Sequence, residues 1–501
     1  MPIDRYIRRI VLLALALGIV VELGVDRHVL GINVPIVVAG SLLAAWLVRP
    51  KGRRIDSLDL WLAPAALLFA AFVAVRADSA LITIDLAATL VLAGASIAAL
   101  AGAAVTRRTL GAGLVLAAHV AAAAGVGAVA VAERVRGIWR PGAATAVFAR
   151  YGAVARGLLI GIPLLIVFGV LFAAADPIFE SIANRVFDIQ LDPGDVPARV
   201  FVVVATAWFA AGLLWLVAAG DAALEARSLG AAANAPTIPL PRLGSTEALT
   251  VLVALDVLFG AFVVLQVAYL FGGADTIAAS GVTYANYARR GFFELLAVVF
   301  LVGALIGGFE AVVAIRTRPY VVAMLGLIAL TAVVLASSFL RLRLYQDAYG
   351  WTELRFYVLA SIGFLAVSLA AAAWFVARNG SRWLPHAVSA AGVAVLIGIN
   401  AVGPQAYVTA RNLERAIDPS VVPGGVRVPV DTEYLATLQA DAVPELVDAL
   451  PRLSEVSRAQ VLVTLRQFGE RLDEEAPASD IPGWNLSREL ARRALATLPT
   501  R

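Results

Sequence analysis

Long apolar runs separated by short polar connections fill the first four-fifths of this chain. A helix needs about 20 apolar residues to cross roughly 30 Å of hydrocarbon. On that rule the sequence predicts about twelve spans, over 8–25, 29–48, 58–75, 80–105, 110–132, 157–175, 197–219, 246–271, 291–315, 320–340, 354–377 and 384–403. The runs are continuously apolar and do not alternate, which favours helices over a β-barrel. From residue 404 the pattern changes. Residues 404–430, with Val422-Pro-Gly-Gly-Val-Arg-Val-Pro429, read as a linker. Asp431 to Leu450 then reads as helix, with Asp431 as N-cap and Pro444 in the first turn of a second helix. Segments 454–473 and 485–498 read as two more amphipathic helices. The expected fold is all-α: a polytopic transmembrane bundle over 1–403 and a small soluble helical domain over 431–501.

Three pieces do not fit the spanning pattern. Residues 133–156 combine five arginines with Trp139, Phe148 and Tyr151, as an interface-lying segment would. After Ala175-Asp176-Pro177, the residues Ile178, Phe179, Ile182, Val186 and Phe187 have the spacing of a short surface helix. The loop 220–243 carries Pro236, Pro239 and Pro241 and reads as a semi-rigid connector. The first run lacks a small-residue cleavage site and reads as a retained span. Arg5, Arg8 and Arg9 before it, with Arg49, Lys51, Arg53 and Arg54 after the second, place the N-terminus on the cytoplasmic side.

Composition narrows the chemistry. The chain is 61% hydrophobic and 15% charged, against about a quarter charged in globular proteins. It has no cysteine, which excludes disulfides, thiolate metal sites and a cysteine nucleophile. His28, His119 and His386 are the only histidines, too few for a histidine metal centre. No cofactor is implied. Residues 405–501 carry 11 Arg and 14 acidic residues, leaving 29 basic and 22 acidic in the rest. The basic excess flanks spans and forms no nucleic-acid footprint. The partners expected are membrane lipids and a protein docking on the C-terminal domain.

Two groups of polar residues carry the candidate chemistry. Ionisable side chains within spans should face the bundle and find partners. The ionisable and amide side chains so placed are Glu22, Asp85, His119, Asp256, Gln266, Glu294, Glu310 and Asn400. Asp256, Glu310 and His119 could form an ion path, or the set could serve only in packing. The second group is one dense connection: Arg341, Arg343, Tyr345, Asp347, Tyr349, Glu353, Arg355 and Tyr357. Tyr349-Gly350 signals a sharp turn, and Thr352 can cap a helix that starts at Glu353. A capped hairpin with an interfacial aromatic belt explains most of this density. An arginine–tyrosine site for a lipid phosphate or another anion is the functional alternative.

The pattern Arg341-x-Arg343-x-Tyr345-x-x-Ala348-Tyr349-Gly350-x-Thr352-x-x-Arg355-x-Tyr357 resembles a bacterial multi-pass membrane family, the domain of unknown function numbered 4173, related to the 4153 group. Ala175 to Phe179, Val282 to Phe293, Asn412-x-x-Arg415, Tyr434-Leu435 and Asp441-Ala442-Val443-Pro444 are similar to that family too. The resemblance implies residence in the bacterial inner membrane and supplies no reaction. The function expected is a non-enzymatic sensor, assembly or accessory factor. The alternatives are a transporter or channel using buried acids, and an enzyme acting on lipid-linked or envelope substrates with Glu353 or Asp347 as base.

Overall fold

The computed structural model describes residues 4–108, 110–138, 196–220, 244–271, 292–313, 315–380, 383–426 and 428–499. The described residues are helical and hold no strand. The helices are α1 Asp4–Gly24, α2 Asn33–Val48, α3 Leu62–Val75, α4 Ser79–Ala101, α5 Leu110–Ile138, α6 Val196–Ala219, α7 Ser245–Phe271 and α8 Phe292–Val312. They continue with α9 Arg318–Tyr349, α10 Glu353–Ala377, α11 Leu384–Val402 and α12 Pro404–Ile417. The last four are α13 Thr432–Ala436, α14 Val443–Ala449, α15 Glu455–Glu475 and α16 Leu486–Leu495.

Eight of the described helices are long and apolar enough to cross a membrane, where the sequence predicted about twelve spans. α2 is only 16 residues long, and the apolar stretch of α8, Leu295–Glu310, is as short. The run 157–175, the surface segments of 139–195, the proline loop and Val282 to Gly291 lie outside the described residues. The side chains of Glu294 and Gln266 do too.

The chain divides into two compact units. One holds residues 1–75, 82–235 and 476–485. Its core joins α1, α2, α4, α5 and α6 around Ile10, Ala14, Ala45, Val48, Ala123, Ala211 and Val217. α5 and α6 meet at Gly127 and Gly212, where a Cβ on Gly127 would lie 2.8 Å from the Gly212 carbonyl oxygen. Small residues permit that close backbone approach. Glu22 of α1 is buried and pairs with Arg199 of α6. Residues 476–485 clamp the α1–α2 connection. Asp480 accepts from the Val29 N–H at 3.1 Å and meets His28 Nδ1 at 2.5 Å. The Trp484 carbonyl accepts from the Ile32 N–H at 2.9 Å, and Asn485 donates to the Val73 carbonyl at 2.9 Å.

The other unit holds residues 76–81, 236–475 and 486–501. Its larger core packs α7, α8, α9, α10 and α11 around Leu252, Val299, Ile306, Tyr320, Met324, Leu327 and Val376. A second core belongs to the tail: Leu435, Leu438, Val443, Leu446, Val461, Leu465 and Ala491. It also takes in Leu413 of α12 and Ala77, so the tail does not close on itself. The tail helices differ in detail from the expectation. Asp431 caps α13 as read from the sequence, accepting from the Tyr434 N–H. The helix expected to run to Leu450 breaks at Thr437 and resumes through a tight turn at Ala440–Ala442.

Half of the stretch read as a linker is helix. Pro404 opens α12, and a first-turn proline loses no helical hydrogen bond there. Gly403 serves as the joint between α11 and α12 at φ +73°, a conformation that glycine alone adopts readily. Val408, Thr409, Leu413 and Arg415 form the buried face of α12.

Candidate functional site

The densest polar assembly among the described residues forms where the tail and α12 meet the starts of α4 and α10. A helix start leaves backbone N–H groups without helical partners. At α4, Asp78 caps its own helix, accepting from Ala80 N–H at 2.9 Å and Leu81 N–H at 3.2 Å. The preceding donors go to the tail. Asp441 accepts from Ala77 N–H at 2.6 Å and Asp78 N–H at 2.9 Å. Gln439 accepts from Ser79 N–H at 2.7 Å. The other Asp441 oxygen takes the Ser487 hydroxyl at 2.6 Å, with the Arg76 guanidinium 3.6 Å away. Arg76 also donates to the carbonyls of Asn400 and Ala401 at the end of α11. Cations and donors are favoured at such helix C-termini.

At α10 the cap is Thr352, whose hydroxyl accepts from the Arg355 N–H, as the sequence predicted. The Glu353 N–H donates to the Tyr434 oxygen at 2.9 Å. Gln405 donates to the Glu353 carboxylate at 2.8 Å, and its own carbonyl takes the Gln439 N–H at 2.8 Å. Tyr357 donates to Asp78 at 2.9 Å and closes the loop between the two helix starts. The negative charges of Asp78 and Asp441 bear on Glu353. Burial pushes the Asp78 carboxyl above its ordinary range, and the Asp441 charge adds to this. The Leu81 N–H, Tyr357 and the Ala80 N–H oppose it. Burial, with the Glu353 and Asp78 charges, pushes the Tyr434 hydroxyl up to about 12, against the Glu353 N–H and Arg355.

The turn itself is held by α12. Gly350 ends α9 at φ +77°, ψ −166°. Asn412 pairs with Trp351 on both sides, accepting its N–H and donating to its carbonyl, each at 2.8 Å. Arg415 donates to the Asp347 carbonyl at 2.8 Å, satisfying an end group of α9. α9 runs to Tyr349, well past the predicted span 320–340.

The eight residues of the connection therefore separate. Glu353 and Tyr357 join the polar assembly, and Arg341 is buried. Arg343 and Asp347 face each other at 3.9 Å and are nearly half exposed. Tyr349 is exposed and Tyr345 stacks on it at 4.9 Å. Arg355 lies 4.3 Å over the Tyr345 ring and donates to the carbonyls of Tyr349 and Gly350.

The span residues do not gather. His119 bonds the Val115 carbonyl of its own helix at 2.7 Å. Glu310 pairs with Arg316 at 2.9 Å and accepts from Tyr320 at 3.0 Å, at the end of α8. Asn400 is buried and donates to Leu396 of its own helix. Asp256 faces Gly326 of α9, and its Oδ1 has no hydrogen-bond partner among the described residues. No group of three or more His, Asp or Glu side chains among the described residues could hold a metal ion.

The assembly is chemically a set of caps. Both oxygens of Asp78 and of Asp441 already accept hydrogen bonds, and Tyr434 stays protonated at neutral pH. Asp78, Gln405 and Gln439 were not singled out from the sequence. Asp78 stands directly before an apolar run that starts with a serine, the position of an N-cap. Asp441 and Tyr434 were flagged only through the family resemblance.

Comparison with known proteins places this arrangement in a family. The profile of the domain of unknown function DUF4153 matches residues 62–449, well over half of the chain, and the protein belongs to that family. The match spans both helix starts of the polar assembly, α12 and Asp441. No curated protein and no solved structure matches the chain.

Proposed function

We propose that this member of the DUF4153 family is an integral protein of the bacterial cytoplasmic membrane that works without catalysis, as a sensor or accessory factor acting through its tail. One observation carries the reading. Tail residues Asp441, Gln439 and Tyr434 accept the free N–H groups at the starts of two apolar helices, α4 and α10. A shift of either helix along its axis strains those bonds, and a partner drawing on the tail strains them from the other side. About twelve spans and a cytoplasmic N-terminus belong to this reading. The Glu353 carboxylate is held by Gln405 and Asp347 lies on the open side beside Arg343, away from the polar assembly, which favours this reading over an enzyme with either as base.

The test uses a strain lacking the gene. Full-length protein should restore growth and envelope integrity, whereas a chain ending at residue 430 should insert into the membrane and restore neither. Full rescue by the shortened chain would remove the tail from the function. Carbonate extraction of both proteins reports membrane insertion separately.

A further inference from the structure

The tail takes hold of the apolar helices at one end, and the N-terminus stands at the other. The geometry is complete within the unit of residues 1–75, 82–235 and 476–485. α6 is one of the helices long and apolar enough to cross a membrane. α1 lies antiparallel along it: Glu22 pairs with Arg199 near the start of α6, and Gly18 abuts the Val203 carbonyl. The far end of α6 belongs to the α2–α3 connection, where Arg53 donates to the Val217 carbonyl at 2.6 Å. Asp59 of that connection accepts from the Val105 N–H at 2.9 Å and the Thr106 N–H at 2.8 Å, just after α4. The start of α1 and the connections after α2 and α4 therefore share one end. The α1–α2 connection stands at the other.

Tail residues 480–485 hold that second end. Asp480 meets His28 and Val29, the Trp484 and Pro482 carbonyls take the Ile32 and Asn33 N–H groups, and Asn485 reaches the Val73 carbonyl near the end of α3. α1 has 21 residues and is about 31 Å long, enough to cross the roughly 30 Å of hydrocarbon. A segment tied to its far end lies across the membrane from its start. Trp484 and Ile481 are 42% and 77% exposed beside these helix ends. That suits the headgroup level, where tryptophan is enriched. The other part of the tail holds the same α3–α4 connection, through Asp441 on the Ala77 and Asp78 N–H groups. An even number of spans would return the tail to the side of the N-terminus; the grip on the α1–α2 connection makes the number odd.

Charge gives the absolute side. Across the first four spans Arg5, Arg8, Arg9, Arg49, Lys51, Arg53, Arg54, Arg107 and Arg108 belong to the N-terminal side, and Arg27 and Arg76 to the tail side. Short connections rich in arginine and lysine stay in the cytoplasm, and the first helix usually dominates. We infer that the C-terminal domain lies on the extracytoplasmic face of the membrane, so that the partner or stimulus it answers comes from the envelope and not from the cytoplasm. The inference rests on the membrane reading above and gives its tail a compartment.

The chain has no cysteine, so single cysteines report without background. The full chain carries either K51C, after α2, or E470C, on α15; both positions are exposed. A membrane-impermeant maleimide is added to spheroplasts before and after permeabilisation. E470C should be labelled before it, and K51C only after it. Protection of E470C until permeabilisation, or labelling of both positions before it, would overturn the inference. If either variant fails to fold, the unaltered chain with a C-terminal epitope decides. Protease added to intact spheroplasts should remove the epitope, cutting at the exposed stretch 423–426 or beyond. An epitope that survives until lysis would overturn the inference as well. Carbonate extraction separates the two readings: a chain retained by the membrane with a protected tail fails here alone, and a chain that is extracted fails the membrane reading.

Discussion

The tail grips the molecule with two carboxylates, and the two grips are built differently. In one unit Asp480 is itself partly exposed; it accepts from the Val29 and Gly483 N–H groups and meets His28. In the other, Asp441 accepts from two N–H groups at the start of α4 and from Ser487, with Arg76 beside it, and is 6% exposed. Both satisfy backbone donors at a chain turn. The difference lies in what else reaches the carboxylate and how much water does. Asp441 sits in a buried assembly and serves Ala77, Asp78, Ser487 and Arg76 at once. Asp480 sits in a more open clamp on the connection between α1 and α2.

The largest effect is therefore expected at Asp441. Asp441→Ala strands the Ala77 and Asp78 N–H groups and leaves Arg76 without its carboxylate. Breaking a buried charged contact of this kind costs about 3–5 kcal/mol. Thermal unfolding in detergent should show the loss, and protease should cut residues 422–430 much faster than in the unaltered chain. A melting curve within a degree or so of wild type would mean that the caps do not hold the tail.

Next comes the turn. Gly350 has a backbone conformation open essentially to glycine alone, and a Cβ there would lie 2.8 Å from the Asn412 Oδ1. Gly350→Ala should cost about 1–3 kcal/mol, read as a lower unfolding temperature. Asn412→Ala should cost less, because it removes the Trp351 pairing without straining the backbone. The opposite order would show that Asn412, and not the glycine conformation, sets the turn.

The two assemblies also part on pH. Asp480 keeps a lowered carboxyl range because the Val29 N–H, His28 and the Gly483 N–H outweigh its burial. Its contribution is present above the unfolded carboxyl range and is lost as pH falls through the folded value. Asp78 is raised by burial, so its contribution is full below the unfolded range and is lost as pH rises through the folded value. Acid should loosen the 28–33 and 480–485 contact while tightening the start of α4. Hydrogen exchange at about pH 2 and at pH 7, corrected for intrinsic rates, should show protection moving in opposite directions in peptides over those segments. Asp78→Asn should flatten the second response and leave the first; parallel changes in both would defeat the comparison.

How much of this was legible in the sequence follows from range. Eleven of the predicted spans coincide with helices because a run of apolar residues carries its own signal. The Thr352 cap and the Asp431 cap were legible because a cap and its helix are adjacent in the chain. The meeting of Asp441 with Ala77 was not, since 364 residues separate them and no local pattern encodes that pairing. α12 was missed because Gly403-Pro404 reads as a breaker, and the helix behind it is short and polar on most of its surface. The connection at 341–357 was read as one group, mostly a capped hairpin, with an anion site as the alternative. Its residues alternate between the tail side and the open side, a division that depends on where α12 packs.

The smallest effect is expected at Asp256, and it sharpens the contrast between residues at helix ends and residues within spans. Asp256 lies midway along α7, faces Gly326, and has one oxygen with no hydrogen-bond partner among the described residues. A carboxylate that no cation or donor compensates is costly in an apolar setting, and an amide is cheaper to bury. Asp256→Asn should leave the unfolding temperature unchanged or raise it slightly, by no more than about 1 kcal/mol in stability. The same variant weighs the transport alternative. If the chain moved ions through buried acids, Asp256 would be the group to carry them, since Glu310 is already held by Arg316 and Tyr320. Proteoliposomes with a pH-sensitive dye inside should then show proton flux that Asp256→Asn abolishes. The expected outcome is no flux above empty vesicles for either protein, with the variant as active as wild type in the rescue assay.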